Sequence, residues 1–262
     1  MKEFSNVWLV VILLVVAVIC TVVDLWLLMS SKQKSDQTQP AQEKENNRNA
    51  VHRALADSTE TKIYNLIIID ESGSMDCIRQ QAMDSVNETI QTIRAAQERN
   101  ENQEHFVTLV TFNDTATIVN DCAPINEIKE LTAESYRPDC CTALYDAMGL
   151  SLNALQKKVS KEDKVLVTIV TDGYENASQE YNLLTIKALV EELKAKGWMF
   201  AYLGANQDAE EVAFSMSIDN ARSWESTIEG TDRMSKRLNY SRSRWYDEAA
   251  TNSERVRGFF DE

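Results

Sequence analysis

Two stretches, "KIYNLIII" at 62–69 and "KVLVTIVT" at 164–171, are apolar on both parities. A strand with one wet face alternates apolar and polar residues, whereas a continuous apolar run is buried on both faces. Strands of that kind sit inside parallel sheets covered by helices on either side. The intervening sequence supplies the helices. Within "CIRQQAMDSVNETIQTIRAAQ" (77–97), Ile78, Ala82, Val86, Ile90 and Ile93 recur at spacings of three and four, an amphipathic helix. Further helices are expected at 142–159, at 179–197 with Gly197 as its cap, and at 207–217. Strands are expected at 105–112 and 115–120, joined through Asn113-Asp114 as a hairpin, at 198–205, and near 222–225. The tail to Glu262 reads as one or two polar helices. The expected fold class is α/β, a doubly wound and mostly parallel sheet with one antiparallel edge strand.

In such sheets ligands bind beyond the carboxyl ends of the strands, where strand order reverses. Both apolar runs end there in an acid: Asp70 follows the first and Asp172 the second. The charge balance narrows the ligand. The chain carries −14 at neutral pH, and residues 61–262 hold 21 Lys/Arg against 34 Asp/Glu. A nucleic-acid binder needs a basic face, so this class is excluded, as is docking on anionic lipid through that region.

The N-terminus is of another kind. "VWLVVILLVVAVICTVVDLWLLM" (7–29) is apolar apart from Thr21 and Asp24. It is long enough to cross a hydrocarbon layer of about 30 Å. Trp8 and Trp26 lie near its ends, where amphipathic rings favour the interface. No small-x-small cleavage site follows it, so it reads as an uncleaved single-pass anchor after a six-residue head (1–6). A short head before a long apolar segment has the form of a signal anchor, which would place the remainder outside the cytoplasm. Lys32 and Lys34 on the distal flank favour the opposite side when only Lys and Arg are counted. Residues 30–60 are polar and Gln/Asn/Ser-rich, a tether too poor in apolar groups to fold alone. The expected layout is head, anchor (7–29), linker (30–60), core domain (61–217) and a C-terminal strand and helical extension (218–262).

The chemistry concentrates in "DESGS" at 70–74. Asp70, Ser72 and Ser74 alternate along a short loop, so a carboxylate and two hydroxyls converge on one side. Thr142 opens a helix after "RPDCC", and Asp172 adds a second carboxylate. These five are hard oxygen donors, suited to a small hard cation, Mg²⁺ or Mn²⁺. Zinc would recruit His or Cys, and the two histidines, His52 and His105, fall in the tether and at a strand entry. Asp146 and Glu175 read as a surface helix residue and a loop residue. Cys77, Cys122, Cys140 and Cys141 read as packed free thiols, with a disulfide as the alternative.

"DESGS", a downstream "CTALYDA" and then "VTDG" resemble the von Willebrand factor A (VWA) domain and its metal-ion-dependent adhesion site. The Asp-x-Ser-x-Ser motif matches Asp70, Ser72 and Ser74; the family's threonine matches Thr142 and its later aspartate Asp172. "TDGYENAS" and "YLGANQDA" look like a bacterial subfamily of such domains. The resemblance covers about residues 62–217. It implies a Rossmann-like, six-stranded sheet, Mg²⁺ or Mn²⁺ at its carboxyl edge, and a non-enzymatic role in which a protein partner supplies a carboxylate to the metal. The anchor, the Cys140-Cys141 pair and the C-terminal helices depart from the family pattern.

Two other functions compete. One is a metal-independent scaffold that binds through the C-terminal helices. The other is a metal-assisted hydrolase. Ser72 stands where an aspartyl phosphatase needs a second Asp, and no histidine lies near Ser72 or Ser74 to act as a serine hydrolase base.

Overall fold

A computed structural model of the protein describes residues 23–27, 60–205, 208–225, 227–250 and 258–260. Residues 23–27 are helical and exposed; the rest of the expected anchor and almost all of the linker lie outside the described residues. Among the described residues no helix is long and apolar enough to cross a membrane. The chain divides into two units, Met1–Thr59 and Glu60–Glu262.

The second unit runs β1 (Thr61–Asp70), a 3-10 turn (Gly73–Ile78), α1 (Arg79–Arg99), β2 (Gln103–Phe112), β3 (Ala116–Pro124), a short 3-10 turn (Ile125–Glu127) and α2 (Leu144–Gln156). It continues through β4 (Lys164–Thr171), α3 (Leu183–Ala195), β5 (Met199–Ala205), α4 (Ala209–Ser215), β6 (Ala221–Trp224) and α5 (Ile228–Ala250). The six strands form one sheet in the order β3-β2-β1-β4-β5-β6. β1 lies parallel to β2 and to β4, β4 to β5, and β5 to β6. β3 runs antiparallel to β2 at the outer edge. Progress from β1 goes one way to β2 and the other way to β4, so strand order reverses between β1 and β4.

The apolar runs behave as their composition requires. In β1, Ile63, Ile67 and Ile69 enter one core layer while Tyr64, Leu66 and Ile68 enter the other. The first layer is closed by α1, through Ala82, Val86, Ile90 and Ile93, and by α5. The second is closed by α2, α3 and α4. Asn65 and Thr168, the polar residues inside these two strands, face Arg242 of α5, which is fully buried. Its guanidinium donates to Thr168 Oγ1 at 2.7 Å and Asn65 Oδ1 at 3.4 Å. Asn65 also accepts from the Tyr246 hydroxyl.

Three local expectations are revised. The β2–β3 connection spans residues 113–115, because Asn113 Oδ1 accepts from the Thr115 N–H and makes an Asx turn. β3 reaches Pro124 with register shifts against Val107, Leu109 and Val110, and Cys122 takes a φ of 55°. Among the described residues the tail forms a helix over 228–250 that is not wholly polar: it has a buried face of Met234, Leu238, Trp245 and Tyr246. Its apolar residues are diluted by charges, so its composition reads as polar although one stripe is core. Gly197 closes α3 as expected: its φ is 89° and its N–H reaches the Lys194 carbonyl at 2.9 Å.

Candidate metal centre

Because β1 and β4 are adjacent and parallel, their carboxyl ends deliver Asp70 and Asp172 to the same rim. Asp70 is fully buried. Its Oδ1 accepts from the Ser72 N–H at 2.7 Å, and its Oδ2 accepts from the Thr171 hydroxyl. The buried Tyr136 hydroxyl donates to the Asp70 carbonyl at 2.6 Å, fixing the strand end from the other side. Ser72 is extended (φ −71°, ψ 163°), so the side chains of the loop alternate. The Ser72 and Ser74 hydroxyl oxygens lie 3.2 Å apart. Ser74 Oγ donates to Asp172 Oδ1 at 2.6 Å, which joins the two strand ends. Met75 and Ile78 bury their side chains just beyond and pin the loop to the core.

Thr142 arrives from the loop before α2. Its N–H donates to Asn176 Oδ1 at 2.9 Å, and its carbonyl accepts from the Asn176 N–H at 3.0 Å. The preceding residue but one is tied to the first loop, since Gly73 N–H donates to the Cys140 carbonyl at 3.2 Å. Gly173 shows how close the parts lie. A Cβ there would stand 3.0 Å from Thr142 Oγ1 and 3.8 Å from Asp70 Oδ2. The structure thus brings Asp70, Ser72, Ser74, Thr142 and Asp172 around one point.

The site's electrostatics are those of acids without a counter-charge. Burial pushes the Asp70 carboxyl up to about 6, against the opposing hydrogen bonds of Ser72 and Thr171, and the Asp172 charge adds to the rise. Asp172 is also raised, chiefly by burial. Tyr136 is held well above the ordinary phenol range by burial and then by the charge of Asp70. Among the described residues no group of three His, Cys, Asp or Glu stands together to hold a metal. A cation here would therefore depend on hydroxyls and water beside its two carboxylates. Two carboxylates and three hydroxyls, gathered in a cradle that a single methyl would crowd, fit a small hard divalent ion.

Several residues that shape the rim carry no motif of their own. Thr171 and Tyr136 hold Asp70, and Asn176 holds Thr142. Asp146 and Glu175 are more than surface residues: both are half-buried and anchor backbone. Asp146 accepts from the N–H groups of Gln179, Glu180 and Tyr181, and Glu175 from those of Tyr145, Ala177 and Ser178. Together they clamp the loop after Asp172 against the start of α2. Thr171 was open to inference, since it ends the strand paired with β1; Tyr136 lies in an irregular loop with no periodic signal. Cys77, Cys122, Cys140 and Cys141 are free thiols, but Cys77, Cys140 and Cys141 are exposed rather than packed.

The family model for the von Willebrand factor type A domain matches residues 66–239. A comparison with curated protein sequences gave no match. Among solved structures, the pilus adhesin SpaC from Lactobacillus rhamnosus GG, in an open conformation, aligns with a TM-score of 0.50 at 11% identity, covering 73% of this chain and 30% of that one. The PilB minor pilin from Streptococcus sanguinis aligns at 0.49 and 13% identity, covering 75% and 64%. The vWF domain of a type V pili tip protein from Porphyromonas gingivalis aligns at 0.49 and 9% identity, covering 70% and 97%. These are likenesses of fold. The chain spans less than two thirds of the length of the pilin it matches.

Proposed function

Since the chain belongs to the von Willebrand factor type A domain family, we propose that it is a membrane-anchored, non-enzymatic module that binds a protein partner through a divalent cation at the β1–β4 rim. Asp70, Ser72, Ser74, Thr142 and Asp172 hold the ion, Mg²⁺ or Mn²⁺. A divalent ion held there would supply positive charge to a carboxylate of the partner, which would let an acidic surface hold an acidic ligand.

The observation that carries this reading is the closure of the rim: Ser74 bridges to Asp172 while Thr142 and Asp70 flank Gly173. Buried acids held above their ordinary range become charged readily only with a cation beside them. The chain's own residues also disfavour nucleophilic catalysis. Ser72 and Ser74 bond to each other and to a carboxylate, and His105 sits near the opposite end of the strands, in register with Ile63.

The test is calorimetric titration of the full chain with Mg²⁺ and Mn²⁺, repeated on Asp70→Ala, Thr142→Ala and Asp172→Ala. Binding by the parent and its loss in the aspartate variants is the expected result. Equal binding by parent and variants overturns the assignment of these residues.

A further inference from the structure

The loop that delivers Thr142 to the rim carries two adjacent thiols. Cys140 and Cys141 are both exposed, whereas Thr142 beside them is buried. Neither thiol belongs to either core layer, and soft sulfur has no place among hard oxygen donors. Cys140 holds a φ of 67°, in the left-handed region that residues with a side chain seldom occupy.

This loop is stitched to both of its neighbours. Asp139 N–H donates to the Glu71 carbonyl at 2.9 Å, and the Cys140 carbonyl accepts from Gly73 N–H at 3.2 Å. Thr142 bonds Asn176 through its N–H and its carbonyl. The peptide between Cys140 and Cys141 therefore links the first rim loop to the last. Its carbonyl is the acceptor for Gly73, which stands between Ser72 and Ser74.

We infer that Cys140 and Cys141 are a thiol modification site: exchange with a low-molecular-weight disulfide oxidises them to a vicinal disulfide, and that bond loosens the rim. One cysteine displaces a thiol from the reagent and forms a mixed disulfide. Its neighbour displaces the second thiol and closes the ring. The protein loses two hydrogens with their electrons, and the reagent leaves as two thiols. Consecutive Cα atoms are about 3.8 Å apart, closer than the span of about 4.4–6.8 Å usual between bridged residues. Such a ring is strained, and strained, exposed disulfides are readily reduced, which makes the modification reversible. The 140–141 peptide is part of the ring, so closure turns it. The Cys140 carbonyl then leaves Gly73 N–H, and Thr142 shifts with the residue before it. Cys77 is the competing partner, an exposed thiol whose Sγ donates to the Ser74 carbonyl at 3.3 Å. The adjacent pair closes the shorter loop. The effect on the cation rests on the proposed function; the disulfide and the loop movement do not.

The experiment equilibrates the full chain with oxidised and reduced glutathione in varied ratio, alkylates the remaining thiols and maps peptides by mass. The expected product is a peptide with Cys140 and Cys141 unalkylated and two hydrogens lighter, restored by dithiothreitol and formed equally by Cys77→Ser. Amide hydrogen exchange over 71–77 should rise on oxidation, with or without Mg²⁺, because Gly73 loses its acceptor. Calorimetric titration should show Mg²⁺ bound about tenfold more weakly by the oxidised parent. Cys141→Ser, shown to fold by thermal unfolding, should change in neither readout under the same treatment. Glutathione adducts without ring closure, or a bond to Cys77, overturn the vicinal site. A closed ring that leaves exchange over 71–77 unchanged overturns its control of the rim, as does unchanged Mg²⁺ affinity in a parent that binds Mg²⁺. If the reduced parent binds no Mg²⁺, the cation reading fails, and the mass and exchange results still decide the modification.

Discussion

At the scale of single residues, Gly173 decides how tightly the rim can close. The glycine removes a Cβ that would otherwise stand 3.0 Å from Thr142 Oγ1. Contacts that close force a neighbour to move by a few tenths of an ångström, and the neighbour here is a proposed ligand. Gly173→Ala is therefore expected to weaken Mg²⁺ binding by about tenfold, because small ions of octahedral preference tolerate little displacement. The unfolding temperature without metal should change little, since Gly173 is not in the core. Calorimetric titration and thermal unfolding of the same sample check both halves. The positions of the five proposed donors were legible because each falls at a strand end or near a helix start, where residue type and spacing carry the information. Tyr136 and Asn176 were not legible: each acts through one long-range hydrogen bond from an irregular segment.

At the scale of elements, the packing of α5 on β2 predicts an acid response. His105 lies fully buried at the entry of β2, edge-on to Tyr246 of α5 with centroids 4.6 Å apart. Nε2 pairs with Gln103 Oε1 at 3.2 Å, and among the described residues Nδ1 has no partner. Burial, followed by the positive charges of Arg242 and Arg99, lowers its pKa to about 4. A base held below its unfolded value of about 6.5 stabilises the fold above that pH. That contribution, on the order of 3 kcal/mol, is lost as pH falls through 4. Asp70 acts with the opposite sign in the same window, because an acid raised to about 6 gains stability on acidification. The readout is thus the difference between parent and His105→Gln. Urea unfolding between pH 7 and 4 should show the parent losing stability relative to the variant; parallel profiles would refute the assignment. The role of α5 itself was hidden in the sequence. Met234, Leu238 and Trp245 keep helical spacing, but the charged residues between them and the buried Arg242 mask the stripe. β1 and β4 were plain because each parity is apolar.

At the scale of the whole molecule, the sequence 7–29 and the folded unit from Glu60 onward make separate claims. The anchor is argued from length and hydropathy alone. The expected outcome is that the full chain sediments with membranes and resists alkaline carbonate, whereas deletion of residues 1–29 releases the domain. Release of the full chain by carbonate would overturn the anchor. The parallel centre and the antiparallel edge were open to inference from alternation of periods and the hairpin signal; the strand order was not. The connection at 113–115 and the displaced ladder of β3 were not, because an Asx turn and a positive φ at Cys122 answer to local backbone geometry.

The two outer strands of the sheet have a consequence for crowding. β6 is four residues long, and β3 meets its neighbour through a broken register. Short or irregular borders are poor templates for adding a foreign strand. Were the proposed anchor to concentrate the molecule in two dimensions on a bilayer, copies would meet constantly, and such borders would offer little purchase for runaway fibril growth.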